Sequence, residues 1–84
     1  MKAYKRSHLP IGTIISPNSS WGSALWPLPE HTGRPIGRLE TERVNVVLQT
    51  LWIEEKGHRW FLVMNHKGEV GWIFPTNVRI PAPG

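Results

Sequence analysis

An all-β domain, folded as a small barrel of about five short strands, is what this chain of 84 residues predicts. Three observations carry the prediction. Residues 59–80, RWFLVMNHKGEVGWIFPTNVRI, hold two runs rich in aromatic and β-branched residues around a turn centred on Gly68, the pattern of a β-hairpin. Residues 40–50 place Val44, Val46 and Leu48 at period two, the alternation of a half-buried strand. Nowhere do apolar residues recur at helical spacing over about eleven residues without a Gly or Pro interrupting. Beyond one 3₁₀ turn at residues 75–77, no helix is expected.

The elements follow in chain order. Residues 1–10 read as a basic flexible arm ending at Pro10, and residues 11–15, with Thr13, Ile14 and Ile15, as the first strand. Residues 16–20 (SPNSS) are a turn cluster. Residues 21–28 are cut by Pro27, with Pro29 just beyond, so they allow only a brief edge strand. Residues 29–38 contain two Pro and two Gly and predict a long irregular loop, the kind that carries function in compact domains. After the strand at 40–50, residues 51–55 continue it or pair back, and Lys56-Gly57-His58 is a turn. The hairpin comes next, then the Pro75-Thr76-Asn77 break and a last short strand at 78–80. The domain therefore spans 11–80, and the Pro-rich tail 81–84 lies outside it.

With no cysteine to form disulfides or thiolate metal sites, stability rests on packing, and five Trp residues (Trp21, Trp26, Trp52, Trp60 and Trp72) supply it. The formal charge of +4 is uneven. Lys2, Lys5 and Arg6 provide three of the ten basic residues; the other seven face six acidic ones, leaving +1. The basicity is an arm and not a face, which argues against a nucleic-acid surface. No run approaches the length of a membrane span, and residues 1–17 lack the apolar core of a secretory signal, so the expected location is cytoplasmic. The Asn18-Ser19-Ser20 sequon is then read as chance.

Catalytic patterns are missing. There is no Gly-x-Ser-x-Gly and no thiol, and the adjacent Glu54 and Glu55 diverge at a strand end. His8, His31, His58 and His66 show no metal-ligand spacing, and the chain has no Asp. The expectation is a non-enzyme with no metal and no cofactor. What remains is an aromatic-lined groove: Trp26 and Trp60, with Trp21 and Pro75, facing a Pro-rich or extended peptide. Trp60 is expected to face outward because Phe61 and Val63 alternate with it as the inward pair. Trp72 is expected to pack in the barrel wall and Trp52 to stand at a hairpin tip. Arg34, Arg38 and Arg59 would select acidic neighbours, and Glu30 is the lone carboxylate of the loop.

Val44-Asn45-Val46-Val47, Trp60-Phe61-Leu62-Val63 and Gly68-Glu69-Val70-Gly71-Trp72-Ile73 together resemble the bacterial SH3 domain pattern. Ser23-Ala24-Leu25-Trp26 and Ile36-Gly37-Arg38-Leu39 fit its first strand and the return from its RT-type loop, so the resemblance covers residues 22–80. The eukaryotic SH3 pattern is similar at Ala24-Leu25-Trp26, Trp60 and Pro75-Thr76-Asn77. Val78 and Pro27-Leu28 depart from it, which removes two aromatic walls from a polyproline groove. The resemblance implies an SH3-like barrel and a non-catalytic protein- or peptide-binding module, suited to a small bacterial or bacteriophage accessory protein. Bacterial SH3 domains also hold wall hydrolases to peptidoglycan, which is the second reading. A third is nucleic-acid binding through exposed Trp and the basic arm. A neighbouring copy's groove could also accept the Pro27/Pro29 pair or the Pro-rich tail, giving a homo-oligomer.

Overall fold

Antiparallel pairing accounts for nearly every regular segment of the computed structural model, which describes residues 9–80. The Pro-rich tail and most of the basic arm lie outside the described residues. Seven strands form among those described: β1 (Ile14–Pro17), β2 (Ser23–Leu25), β3 (Gly37–Leu39), β4 (Asn45–Ile53), β5 (His58–Met64), β6 (Val70–Ile73) and β7 (Val78–Arg79). Two 3₁₀ turns, Glu54–Lys56 and Pro75–Asn77, complete the elements. Five strands make one sheet in the order β6-β5-β4-β1-β7, and β2 pairs with β3 in a second. The five-stranded ladder is not closed on itself.

A single bridge joins the two sheets. Trp26 and Trp72 exchange both backbone bonds, N–H to carbonyl, at 2.8 and 2.7 Å. The approach is close because residue 71 is glycine. A Cβ there would stand 2.8 Å from the Leu25 Cβ and 3.0 Å from the Ile36 Cδ1 and the Trp26 carbonyl. Gly22 answers a second close approach, with φ +87° and no room for a Cβ beneath the Leu39 carbonyl.

Between the sheets lies a core of Leu9, Ile15, Leu25, Leu39, Val47, Phe61, Val63, Ile73 and Val78. Leu9, expected at the end of a flexible or loosely docked arm, belongs to the core: its side chain is buried, and the Thr50 hydroxyl donates to its carbonyl at 3.1 Å. The first strand is also shifted. Residues 11–12 form a turn, with the Gly12 N–H on the Val47 carbonyl, while Ser16 and Pro17 belong to β1 and not to the following turn. Proline is tolerated there because β1 changes partner along its length. Ile14 and Ile15 pair with β4, whereas Ser16 and Pro17, at the strand's end, pair with β7.

β4 begins at Asn45, five residues later than the alternation predicts, and its core face is the opposite one. Asn45 and Val47 are fully buried while Val44 is 60% exposed and Val46 and Leu48 are half-buried. Apolar residues occupy both faces, so periodicity alone could not choose between them. The choice rests on Asn45, whose Nδ2 donates to the carbonyls of Ile15, Glu40 and Arg43 and closes the turn at 40–44. A register shift between Val47 and Gln49 then alters the alternation. Beyond it β4 runs to Ile53, and the turn to β5 is Glu54–Lys56 with Gly57 in the left-handed region. The loop expected at 29–38 gives up Gly37 and Arg38 to β3.

Asn65 fastens the β5–β6 hairpin to β3. Its Nδ2 donates to the Arg38 carbonyl (3.0 Å) and to Glu69 Oε1 (2.8 Å). Its Oδ1 accepts the N–H groups of Lys67 (3.0 Å) and Glu69 (2.9 Å). Asn65→Ala deletes these four part-buried hydrogen bonds and should cost about 2–3 kcal/mol in urea unfolding. Gly71→Ala should cost about 1–3 kcal/mol by forcing β2 off β6. In the double variant the two losses should fall short of additivity, since both act on how the β2–β3 pair is held.

Candidate functional site

Strand geometry sends Phe61 and Val63 of β5 into the core and His58, Trp60, Leu62 and Met64 to the other face. On that face, Leu51 of β4 lies opposite Trp60 and Trp72 of β6 lies opposite Leu62. Phe74 follows β6 in extended conformation and leads into Pro75, the buried first residue of the second 3₁₀ turn. Its ring meets Trp60 edge-on at 5.3 Å between centroids and His58 at 4.9 Å. Loop 27–36 leaves β2 past Trp26 and brings His31 over the same place. The His31 centroid is 4.8 Å from Trp60, 5.5 Å from Trp26 and 6.0 Å from Phe74.

Five rings therefore converge: Trp26, His31, His58, Trp60 and Phe74. Two of their polar atoms are buried without a hydrogen-bond partner, Trp60 Nε1 and His58 Nδ1. Buried donors and acceptors are nearly always satisfied in folded proteins, so two orphans in one cluster call for an explanation.

The sequence-predicted residues distribute unevenly around this cluster. Trp26 and Trp60 both belong to it, brought together through His31, and Pro75 adjoins it through Phe74. Glu30 precedes His31 and is half-buried; Arg34 is exposed farther along the loop. Arg38 is directed elsewhere, its guanidinium donating to the Trp21 carbonyl and holding the turn before β2. Arg59 alternates with Trp60 and so leaves by the opposite face, its guanidinium carbon 5.4 Å from the centroid of the Trp52 ring. Trp60 is not open to solvent as expected. It is 2% exposed, because a loop residue 29 positions earlier in sequence, His31, lies on it while Phe74 closes the side. Trp21 is 84% exposed at the tip of its turn, Trp52 is 47% exposed at the β4–β5 tip, and Trp72 is half-buried.

His31, His58 and Phe74 were not among the predicted site residues. His58 could have been found from its spacing: two positions before Trp60 on a strand, it must share that residue's face. Phe74 stands directly before the predicted Pro75. Nothing local marks His31. Two surface grooves, of about 420 and 500 Å³, lie elsewhere, one beside Gly37 and Glu69, the other beside Val44 and Met64. Neither includes a ring of the cluster. Among the described residues no group of three His, Cys, Asp or Glu could hold a metal ion, and no helix is long and apolar enough to cross a membrane.

No family model matches the chain, and neither a curated protein nor a solved structure is significantly similar to it.

Trp60 tests the cluster directly. Trp60→Ala empties a fully packed site and should cost about 3–5 kcal/mol. Trp60→Phe keeps a ring in place and deletes the orphaned N–H, so its cost should stay below about 1.5 kcal/mol, measured by thermal and urea unfolding.

Proposed function

We propose that this chain is a non-catalytic binding module of SH3-like architecture that takes an extended or Pro-rich peptide of a partner protein against Trp26, Trp60, Phe74 and Pro75. The strand order supports the architectural part. Five short antiparallel strands run β7-β1-β4-β5-β6, with the β2–β3 pair and its loop inserted between β1 and β4 and a 3₁₀ turn before the last short strand, β7.

The observation that carries the binding part is the Trp60 Nε1–H, buried among rings with no acceptor. An extended peptide has carbonyls that no internal hydrogen bond uses, and a Pro-rich one is preformed in that conformation. One such carbonyl on Trp60 Nε1 would satisfy the donor, while apolar or Pro side chains would cover the indoles. Rigid aromatic anchors of this kind dominate the energy of small interfaces. Arg34 and Glu30, on the loop, stand at the rim, where charge sets partner choice more than strength. A small bacterial or bacteriophage accessory protein acting on a larger assembly is the setting this reading suits.

Titration with Pro-rich peptides, read by indole fluorescence, tests the proposal. Trp60→Phe should remain folded yet bind about 2–10-fold more weakly, the value of one hydrogen bond. Trp26→Ala should bind more weakly still. Affinity should change little between low and moderate salt. A steep fall with salt would point instead to nucleic acid, and pelleting with purified sacculi independent of Trp60 would point to peptidoglycan. Unchanged peptide affinity in both variants would overturn the groove.

A further inference from the structure

His31 sits as a ligand would. Its ring lies within 4.8–6.0 Å of three aromatic centroids, with interplanar angles of 53° to Trp60, 86° to Trp26 and 61° to Phe74. Those three rings stand on regular structure: Trp26 is bridged to β6, Trp60 is within β5, and Phe74 leads into the 3₁₀ turn. The imidazole, by contrast, belongs to an exposed stretch of loop, residues 31–36, and meets the cluster through ring contacts. The loop is tied near its two ends, by Glu30 N–H on the Leu28 carbonyl and by Ile36 N–H on the Leu25 carbonyl. Between them Gly33, at φ +78°, has open space around it.

We infer that His31 is an internal stand-in for a ligand, and that Trp26, Trp60 and Phe74, once it swings out, form a cage for a cationic side chain of the partner peptide. This rests on the peptide-binding reading and names the group that reading leaves open. The distances carry it. A point within about 6 Å of several aromatic centroids is where an ammonium is attracted by ring quadrupoles, and an aromatic cage is how proteins hold methylated ammonium groups. Charge placement agrees. Arg59, the cation nearest in sequence to Trp60, is turned to the opposite face over Trp52, while Glu30, half-buried, directly precedes the plug. A methylated lysine fits better than a free one, because methyl groups lower the hydration that entry removes and bury apolar surface on the rings. The peptide's own backbone then brings a carbonyl to the Trp60 N–H.

The test uses three capped tripeptides, Gly-X-Gly, in which X is trimethyllysine, lysine or neutral norleucine. Binding is followed by indole fluorescence and the indole N–H NMR signals. His31→Ala should bind the trimethyllysine peptide about tenfold more tightly than wild type, since the competent state no longer has to displace the plug. His31→Phe, which keeps a plug, should bind no better than wild type. In His31→Ala the norleucine peptide should bind at least fivefold more weakly than the trimethyllysine peptide, and adding Trp26→Ala should abolish the difference. His31→Ala that retains the wild-type near-UV circular dichroism yet binds no tighter would overturn the plug. Equal affinity for norleucine and trimethyllysine would overturn the cage. Either result leaves the peptide groove standing if Trp60→Phe still weakens Pro-rich peptides; loss of that effect would remove the underlying reading instead.

Discussion

Two large aromatic residues in succession, Trp60 and Phe61, are both buried, and strand geometry forces them to opposite faces of one sheet. A sheet that hides side chains on both faces needs cover on both. Phe61 is covered by the core that β1, β2, β3 and β7 complete. Trp60 receives its cover from pieces with little regular structure: loop 27–36, the residue after β6, and the first residue of β5. That asymmetry divides the molecule. One side of β5 is a packed core of aliphatic residues; the other is a cluster of rings closed by a loop.

The same economy explains the edges. An open antiparallel sheet exposes unpaired backbone groups at its outer strands, a template for unwanted pairing. Here β7 is two residues long, and β6 has its outer side occupied by the Trp26 bridge. Gly71 permits that bridge, and Asn65 holds the far end of the β2–β3 pair through the Arg38 carbonyl. The hairpin that supplies the ring-bearing loop is thereby tied to the main sheet at both ends.

Much of this was legible in the sequence, and the misses have a common cause. The β5–β6 hairpin, the turn at Gly68 and the 3₁₀ turn at Pro75–Asn77 announce themselves through local chemistry: alternation, glycine, and proline at the start of a turn. Trp60 was rightly placed on the face opposite Phe61 and Val63. Its burial could not be read, because the covering His31 is supplied by a distant loop with no pattern of its own. Asn45 is the clearest case of the limit. A polar residue in a Val-rich run reads as solvent-facing, yet it is buried because the Ile15 carbonyl, 30 positions away, and two turn carbonyls accept from it. Leu9 was lost to the arm for the same reason, its place in the core being set by partners far along the chain.

A closed cluster is compatible with a binding site only if opening it is cheap compared with unfolding the sheet. Ring contacts of the kind His31 makes are worth about 0.5–1.5 kcal/mol each. Holding a loop residue in one conformation costs about 1–2 kcal/mol of backbone entropy. Three such contacts offset the ordering of only about two residues, so under the proposal the imidazole is held far less firmly than the paired strands. The rings behind it are in a different position. Trp60 is held by pairing on both sides of β5 and Trp26 by its bridge, so the surface proposed to lie beneath the loop would be preformed. On the proposed reading, a partner would compete against one imidazole held by ring contacts, and its gain would be set by Trp26, Trp60 and Phe74.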